Sequence, residues 1–200
     1  MRNVLVDVPV FLSSPLYRRR HLTWNATRPE VEGPMPGDEL LPRPSYVSTR
    51  AITIDAPPDK VWPWLVQVGC LRAGWYSDDL LDNLGRPSSQ TLVPALQHIE
   101  VGQLIPMSPT PTVATSFQVV SYAAPHDLLW ATRDSTWAWQ LNEQAAGRTR
   151  VVTRIRATRD WRRPGAALLS VLLLEFGDFA MLRRMLKGIK QRSEANQRPQ

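Results

Sequence analysis

The chain has 200 residues, 43% of them apolar and 21% charged, with 24 Lys and Arg against 18 Asp and Glu for a formal net charge of +6. At this length a folded domain buries roughly 70% of its extended surface, so a core forms without disulfides or metal. The single cysteine, Cys70, excludes a disulfide framework and a cysteine-built zinc site, and His21, His98 and His126 are too scattered for a metal triad.

The charge is unevenly distributed. Residues 148–200 hold 13 basic against 4 acidic residues, whereas residues 44–147 hold 5 against 9. A basic C-terminal quarter suits an acidic partner, RNA or an anionic membrane surface; the plain alternative is a solvated strand face and helix face. Arginine outnumbers lysine 21 to 3, a bias of the kind GC-rich coding produces. No window reaches the run of about 18 apolar residues that a spanning helix needs. The apolar patch Val4–Leu12 precedes its basic run, Arg18-Arg19-Arg20, the reverse of an export signal. The expected compartment is therefore the cytoplasm.

In chain order, residues 1–43 read as an irregular N-terminal strap. Five prolines (29, 34, 36, 42, 44) and two glycines (33, 37) fall between Thr27 and Pro44, with Trp24, Leu40 and Leu41 as its pins. Tyr46–Asp55 is a β-branched strand. A short helix follows, capped by Asp55, burying Val61, Trp64, Leu65 and Val68 and interrupted by Pro63. Ser77 announces a second short helix through Leu80, Leu81 and Leu84, ending at Gly85. Strand signals then recur at 103–107, 115–122, 128–133, 136–142 and 148–159, separated by hairpin-length turns. Leu172, Phe176, Phe179, Leu182, Leu186 and Ile189 keep helical spacing, which predicts one long amphipathic helix over about 165–193. Residues 195–200 are expected to be a disordered tail.

Segregated elements of this kind define an α+β fold: a curved antiparallel sheet wrapped around a long C-terminal helix, with two short helices after the first strand. The gap between helix and sheet is where a ligand would sit. Strand parity puts Trp137, Trp139 and Leu141 on one face, and Val151, Thr153, Ile155 and Ala157 on one face of the last strand, with Arg150, Arg154 and Arg156 facing out. Trp75, Tyr76, Phe117, Trp137, Trp139, Phe176 and Phe179 are the candidate ligand contacts. The same rings would equally serve as core filling.

The segment Arg72–Asp79 combines an arginine, two aromatics with polar tips and two carboxylates. Asp79 and Asp82, three residues apart, share a face of the short helix. A buried carboxylate near Tyr76 could act as a general acid or base, which makes Asp79, Tyr76 and Arg72 the catalytic candidates; Arg72 paired with a carboxylate would instead be a structural tie. His98 and His126 are expected at the surface, and Cys70 as a small buried filler. There is no phosphate loop, nucleophile elbow or zinc-ligand spacing, so neither cofactor nor metal is expected.

The stretches 49–69 (TRAITIDAPPDKVWPWLVQVG), 72–87 (RAGWYSDDLLDNLGRP), 96–106 (LQHIEVGQLIP) and 181–194 (MLRRMLKGIKQRSE) resemble the START-like, or SRPBCC, superfamily with its helix-grip fold. More narrowly they resemble its bacterial polyketide cyclase/dehydrase-like branch, whose activity is largely unassigned. The resemblance covers about residues 45–194, matching a domain at 44–194. It implies a protein that holds a small hydrophobic molecule, lipid-, polyketide- or aromatic-like, inside the grip. A cofactor-free cyclase or dehydratase acting in the same cavity is the alternative, and an interaction module using the basic C-terminal helix is the third. The basic helix lacks interleaved aromatics, so nucleic acid is not expected; peripheral membrane contact stays open, as does the oligomeric state.

Overall fold

The computed structural model describes residues 18–158 and 178–195. Two short helices, α1 (Arg18–Leu22) and α2 (Arg28–Glu32), precede β1 (Tyr46–Ile54), and α3 (Pro58–Val66) and α4 (Asp79–Asp82) follow it. Strands β2 (Leu104–Pro106), β3 (Ser116–Ala123), β4 (Asp127–Ala131), β5 (Ser135–Gln144) and β6 (Arg148–Ala157) come next, and α5 (Asp178–Ala195) closes the fold. The part of the expected long helix before residue 178, with Phe176, lies outside the described residues, as does 196–200 of the tail expected at 195–200; Ala195 ends the closing helix.

All six strands form one antiparallel sheet in the order β1-β6-β5-β4-β3-β2. A register shift between Val119 and Ser121 adds an extra residue to β3 and bends the sheet there. Helix α5 packs against α3 and β1. The concave face carries the main core, including Leu128, Trp130, Trp137, Trp139, Leu141, Val151 and Ile155, joined by Leu182, Leu186 and Ile189 of α5. This α+β arrangement is the helix grip anticipated from strand parity and the closing amphipathic helix.

The helix caps differ from expectation by a residue or two. Pro57, not Asp55, is the N-cap of α3 and makes no side-chain cap bond; Asp55 instead pairs with Lys190 of α5. Asp78, not Ser77, caps α4 by accepting from the Leu80 N–H at 3.2 Å. That helix stops at Asp82, because Leu84 and Gly85 both have positive φ (54° and 77°).

The convex face corrects the expectation that Arg150, Arg154 and Arg156 face solvent. All three reach into the segment 25–41. Arg154, with a side chain only 4% exposed, donates to Thr49 Oγ1, to the carbonyls of Gly33, Glu30 and Val31, and to Asp38. Arg150 forms a bidentate pair with Glu30 and also reaches the Asn25 carbonyl. Arg156 bonds Asp38 and the Leu41 carbonyl. Met35 fills the apolar gap against Ala51, Leu129, Ala138 and Val152. Gly37 lets the chain press on the sheet, since a Cβ there would lie 2.5 Å from Leu129 Cδ1. Leu40 is 51% exposed and pins nothing; Trp24 packs on the main core as expected. At the outer edge of β1, the Ala51 N–H donates to the Trp24 carbonyl and Asn25 Nδ2 donates to the Ala51 carbonyl.

Asp38 neutralises two guanidinium groups at 2.6 and 3.1 Å. Asp38→Ala should therefore lower the unfolding free energy by about 3 kcal/mol, the range for removing one partner of a buried pair, measured by urea denaturation. Arg150 holds the Glu30 carboxyl down at about 2 against an ordinary 4.5. A depressed carboxyl adds stability that is present above its unfolded value and lost as pH falls through its folded one. The destabilisation by Glu30→Gln should accordingly be full at neutral pH and fade below about pH 4.

Candidate functional site

Three groups of side chains occupy or border the space between sheet and closing helix. The first is an aromatic cluster on the concave face. Trp137 and Trp139 alternate with Ala138 along β5, so both indoles project to the same side, and register places Trp130 of β4 opposite Trp137. Trp75 stacks on Trp137 at 5.8 Å with 9° between planes. Phe117 meets Trp137 edge-on at 5.3 Å, and Trp130 lies edge-on to Trp137 at 5.4 Å. Trp137 and Trp139 stand 5.1 Å apart. The Trp137 indole donates to Thr153 Oγ1 at 2.8 Å. The indole nitrogens of Trp130 and Trp139 are buried and have no hydrogen-bond acceptor, which is uncommon for a polar group in a core.

The second group surrounds Tyr76, which has φ +56°. Its hydroxyl accepts from Gln67 Nε2 at 2.8 Å and donates to the Trp64 carbonyl at 3.2 Å. Gln67 Oε1 accepts in turn from the Val93 N–H and from Gln97. The Arg192 guanidinium lies over the Tyr76 ring at 4.3 Å. Helix α5 comes this close because residue 188 is glycine, where a Cβ would meet Tyr76 at 2.6 Å. Burial pushes the Tyr76 phenol up to about 12, so it stays protonated and serves as a donor.

The other catalytic candidates have separate partners. Arg72 donates to the Val66 carbonyl at 3.2 Å, and its Nη1 is buried without an acceptor; it pairs with no carboxylate among the described residues. Asp79 accepts from Ser88 Oγ, which in turn accepts from the Tyr76 backbone N–H. Asp79 and Tyr76 thus meet at the backbone, away from the phenol. Asp78 is held by Arg184 at 2.9 Å. Asp82 is the buried carboxyl of the segment: burial pushes it up to about 6, the Asp78 N–H opposes this, and the Asp79 and Asp78 charges add to it.

The third group was not anticipated. Arg50, fully buried on the concave side, donates to Asp178 at the start of α5 and to the His21 carbonyl at 2.7 Å. Tyr46 donates to the same Asp178 carboxylate at 2.7 Å. Phe179 belongs here: it stacks on His21 at 4.0 Å and lies under Arg50 at 5.5 Å. Burial, then Arg50 and Arg183, holds the His21 ring below its ordinary 6.5.

Of the residues singled out from sequence, the fold therefore gathers Trp75, Phe117, Trp137 and Trp139, and adds Trp130. Parity within the strand at 128–131 carried that signal, since Leu128 and Trp130 alternate with Leu129 and Ala131. Tyr76 and Phe179 contact other groups, and nothing is described for Phe176. Cys70 is buried with its thiol pushed up, and His98 is exposed, both as expected. The cations of α5 are largely engaged within the molecule: Arg184 with Asp78, Lys190 with Asp55, Glu194 and the Thr53 carbonyl, and Arg192 with the Ser89 carbonyl. A surface cleft of about 350 Å³ runs beside Lys187, Lys190, Gln191, Glu194 and Ala195. None of the clustered rings lines it. No described helix is long and apolar enough to cross a membrane, and the described residues contain no cluster of metal-ligating side chains.

Asp82 gives this site a pH signature. Its folded value of about 6 lies above its ordinary 3.8, so its contribution to stability is complete below the lower value and is lost as pH rises through the upper one. Asp82→Asn, which keeps an acceptor for the Asp78 N–H, should melt above the unsubstituted protein at about pH 8. The difference in Tm should close by about pH 4.

No protein-family model and no curated protein matches the sequence. Solved structures do. A polyketide cyclase-like protein of Corynebacterium glutamicum is similar at 13% identity, over 75% of this chain and 92% of that one, with a TM-score of 0.48. A Rhodobacter sphaeroides protein is similar at 16% identity over 74% and 92%, TM-score 0.45, and a Mycobacterium smegmatis protein at 16% over 75% and 92%, TM-score 0.41. At these values the likeness concerns chain path alone, and the argument rests on the strand order and closing helix already described. Those features give the protein an α+β helix-grip fold, a curved antiparallel sheet closed by a C-terminal helix.

Proposed function

We infer that the protein holds a small, mainly apolar molecule inside the grip, against Trp75, Phe117, Trp130, Trp137 and Trp139. One observation carries this reading: five contacting aromatic rings include two buried indole N–H groups, of Trp130 and Trp139, that no acceptor satisfies. Rings alone would fill a core equally well with phenylalanine. An indole donor without a partner carries a desolvation penalty that a ligand oxygen would relieve. The occupant is thus apolar with one or two hydrogen-bond acceptors, as fatty acids and aromatic polyketides are. In this reading residues 44–194 form the binding domain and residues 1–43 an N-terminal strap, of which the segment 25–41 backs the sheet. The cyclase or dehydratase alternative draws less support, because Arg72, Tyr76 and Asp79 are spent on separate partners.

Native mass spectrometry of protein purified without detergent should show a bound mass on the order of a few hundred daltons, lost on denaturation. Titration with palmitate or naringenin, as aliphatic and aromatic probes, should quench the tryptophan emission. Trp139→Phe keeps the ring but removes the donor and should weaken the bound probe about fivefold, the value of one hydrogen bond. A bare native mass together with no quenching by either probe would overturn the reading.

A further inference from the structure

The tight turn after α3, closed by backbone bonds between Gly69 and Gly74, carries Arg72. The arginine stem lies against residue 69, where a Cβ would be 3.0 Å from Arg72 Cδ and 3.2 Å from Pro106 Cδ. That places Arg72 between the end of α3 and β2, at the border of the ring cluster. On one side β2 pairs Ile105 with Phe117. On the other, Trp75 follows the turn directly and stacks on Trp137. The side chain spends one N–H on the Val66 carbonyl, whereas Nη1 is buried with no acceptor.

The charge of Arg72 is not met by the protein. The buried guanidiniums of Arg50 and Arg154 each hold a carboxylate, of Asp178 and Asp38. Arg72 holds none among the described residues. Burial pulls it below the ordinary arginine value, and the Tyr76 phenol alone opposes this. That phenol stays protonated, so it supplies no counter-charge at neutral pH. A part-buried cation with no counter-ion is costly to the fold. The indoles of Trp64, Trp130 and Trp139, in the same core, are also buried donors without acceptors. Donors call for an acceptor, and the guanidinium among them calls for an anion. A guanidinium edge fits the two oxygens of a carboxylate, whereas one arginine would leave a phosphate dianion half-neutralised. We propose that the molecule in the grip is an ionised carboxylic acid with an apolar body, its carboxylate on Arg72 and its body against the rings. This rests on the grip holding an apolar molecule, and it adds that molecule's charge.

Tryptophan quenching by laurate and by dodecanol, equal in chain length and different in charge, tests this at about pH 8, where the acid is ionised. The intact chain should bind laurate at least about tenfold tighter than dodecanol, the low end for a hydrogen bond to a charged group. Arg72→Gln keeps a donor for the Val66 carbonyl and removes the charge. It should lose the preference, binding laurate about tenfold more weakly and no tighter than dodecanol. Without ligand it should melt no lower than the unsubstituted protein, because an unmet charge has gone. Equal affinity of the intact chain for the two probes would overturn the carboxylate and leave the apolar occupant standing. Undiminished laurate binding by folded Arg72→Gln, with or without a lower Tm, would make the arginine a structural tie and overturn its pairing. No response to either probe would overturn both the occupant and its charge.

Discussion

Arg154 donates all five of its guanidinium N–H groups within the protein, four of them to the segment 30–38 and one to Thr49. A buried guanidinium is tolerable only when every donor is satisfied and its charge is met, and here Asp38 meets it. The rest of the architecture follows from that requirement. Because β6 carries Arg154 next to the centre of the sheet, the convex face has to be covered, and the strap is the cover. With one face closed by polar bonds, the concave face is left mainly to hydrophobic packing, with polar ties only where the closing helix is anchored. The sheet can then present an unbroken row of rings to the space under α5.

The closing helix is tied by a second buried arginine. Arg50 on β1 holds Asp178 at the first turn of α5, and Tyr46 shares the same carboxylate. The C-terminal half of α5 is fixed differently, by the close approach of Gly188 to Tyr76 and by Arg192 over the phenol ring. The helix is thus anchored at both ends by polar contacts, while its middle contributes Leu182, Leu186 and Ile189 to the core.

Much of this was legible in the sequence because it depends on local periodicity. Every strand lies within a residue or two of where β-branched alternation placed it, and parity assigned Trp137 and Trp139 to one face correctly. Charge pairing was not legible. Arg154 and Asp38 are separated by 116 residues, and no local pattern tells a solvated arginine from one that binds a distant loop. The excess of cations after residue 148 reads as an outward surface, yet Arg150, Arg154 and Arg156 face a strap drawn from the first 43 residues. The compact Arg72–Asp79 motif misled for the same reason. Proximity in sequence suggested one site, whereas Gln67 and Trp64 claimed Tyr76, Ser88 claimed Asp79 and Val66 claimed Arg72. The chemistry of the ring cluster, with donors as well as faces, was half visible; Trp130 needed the pairing of β4 with β5 to bring it in.

The treatment of the two sheet margins has a consequence for handling and evolution of the protein. At one margin β2 has only three residues and ends in Pro106, so it offers little template to another chain. At the other, the outer groups of Ala51 on β1 are taken by Trp24 and Asn25 of the strap. The strap is therefore also a guard against strand-to-strand association. A version shortened before residue 26 would keep most of its grip core yet expose an open β1 margin, and its failure would show first as aggregation during expression.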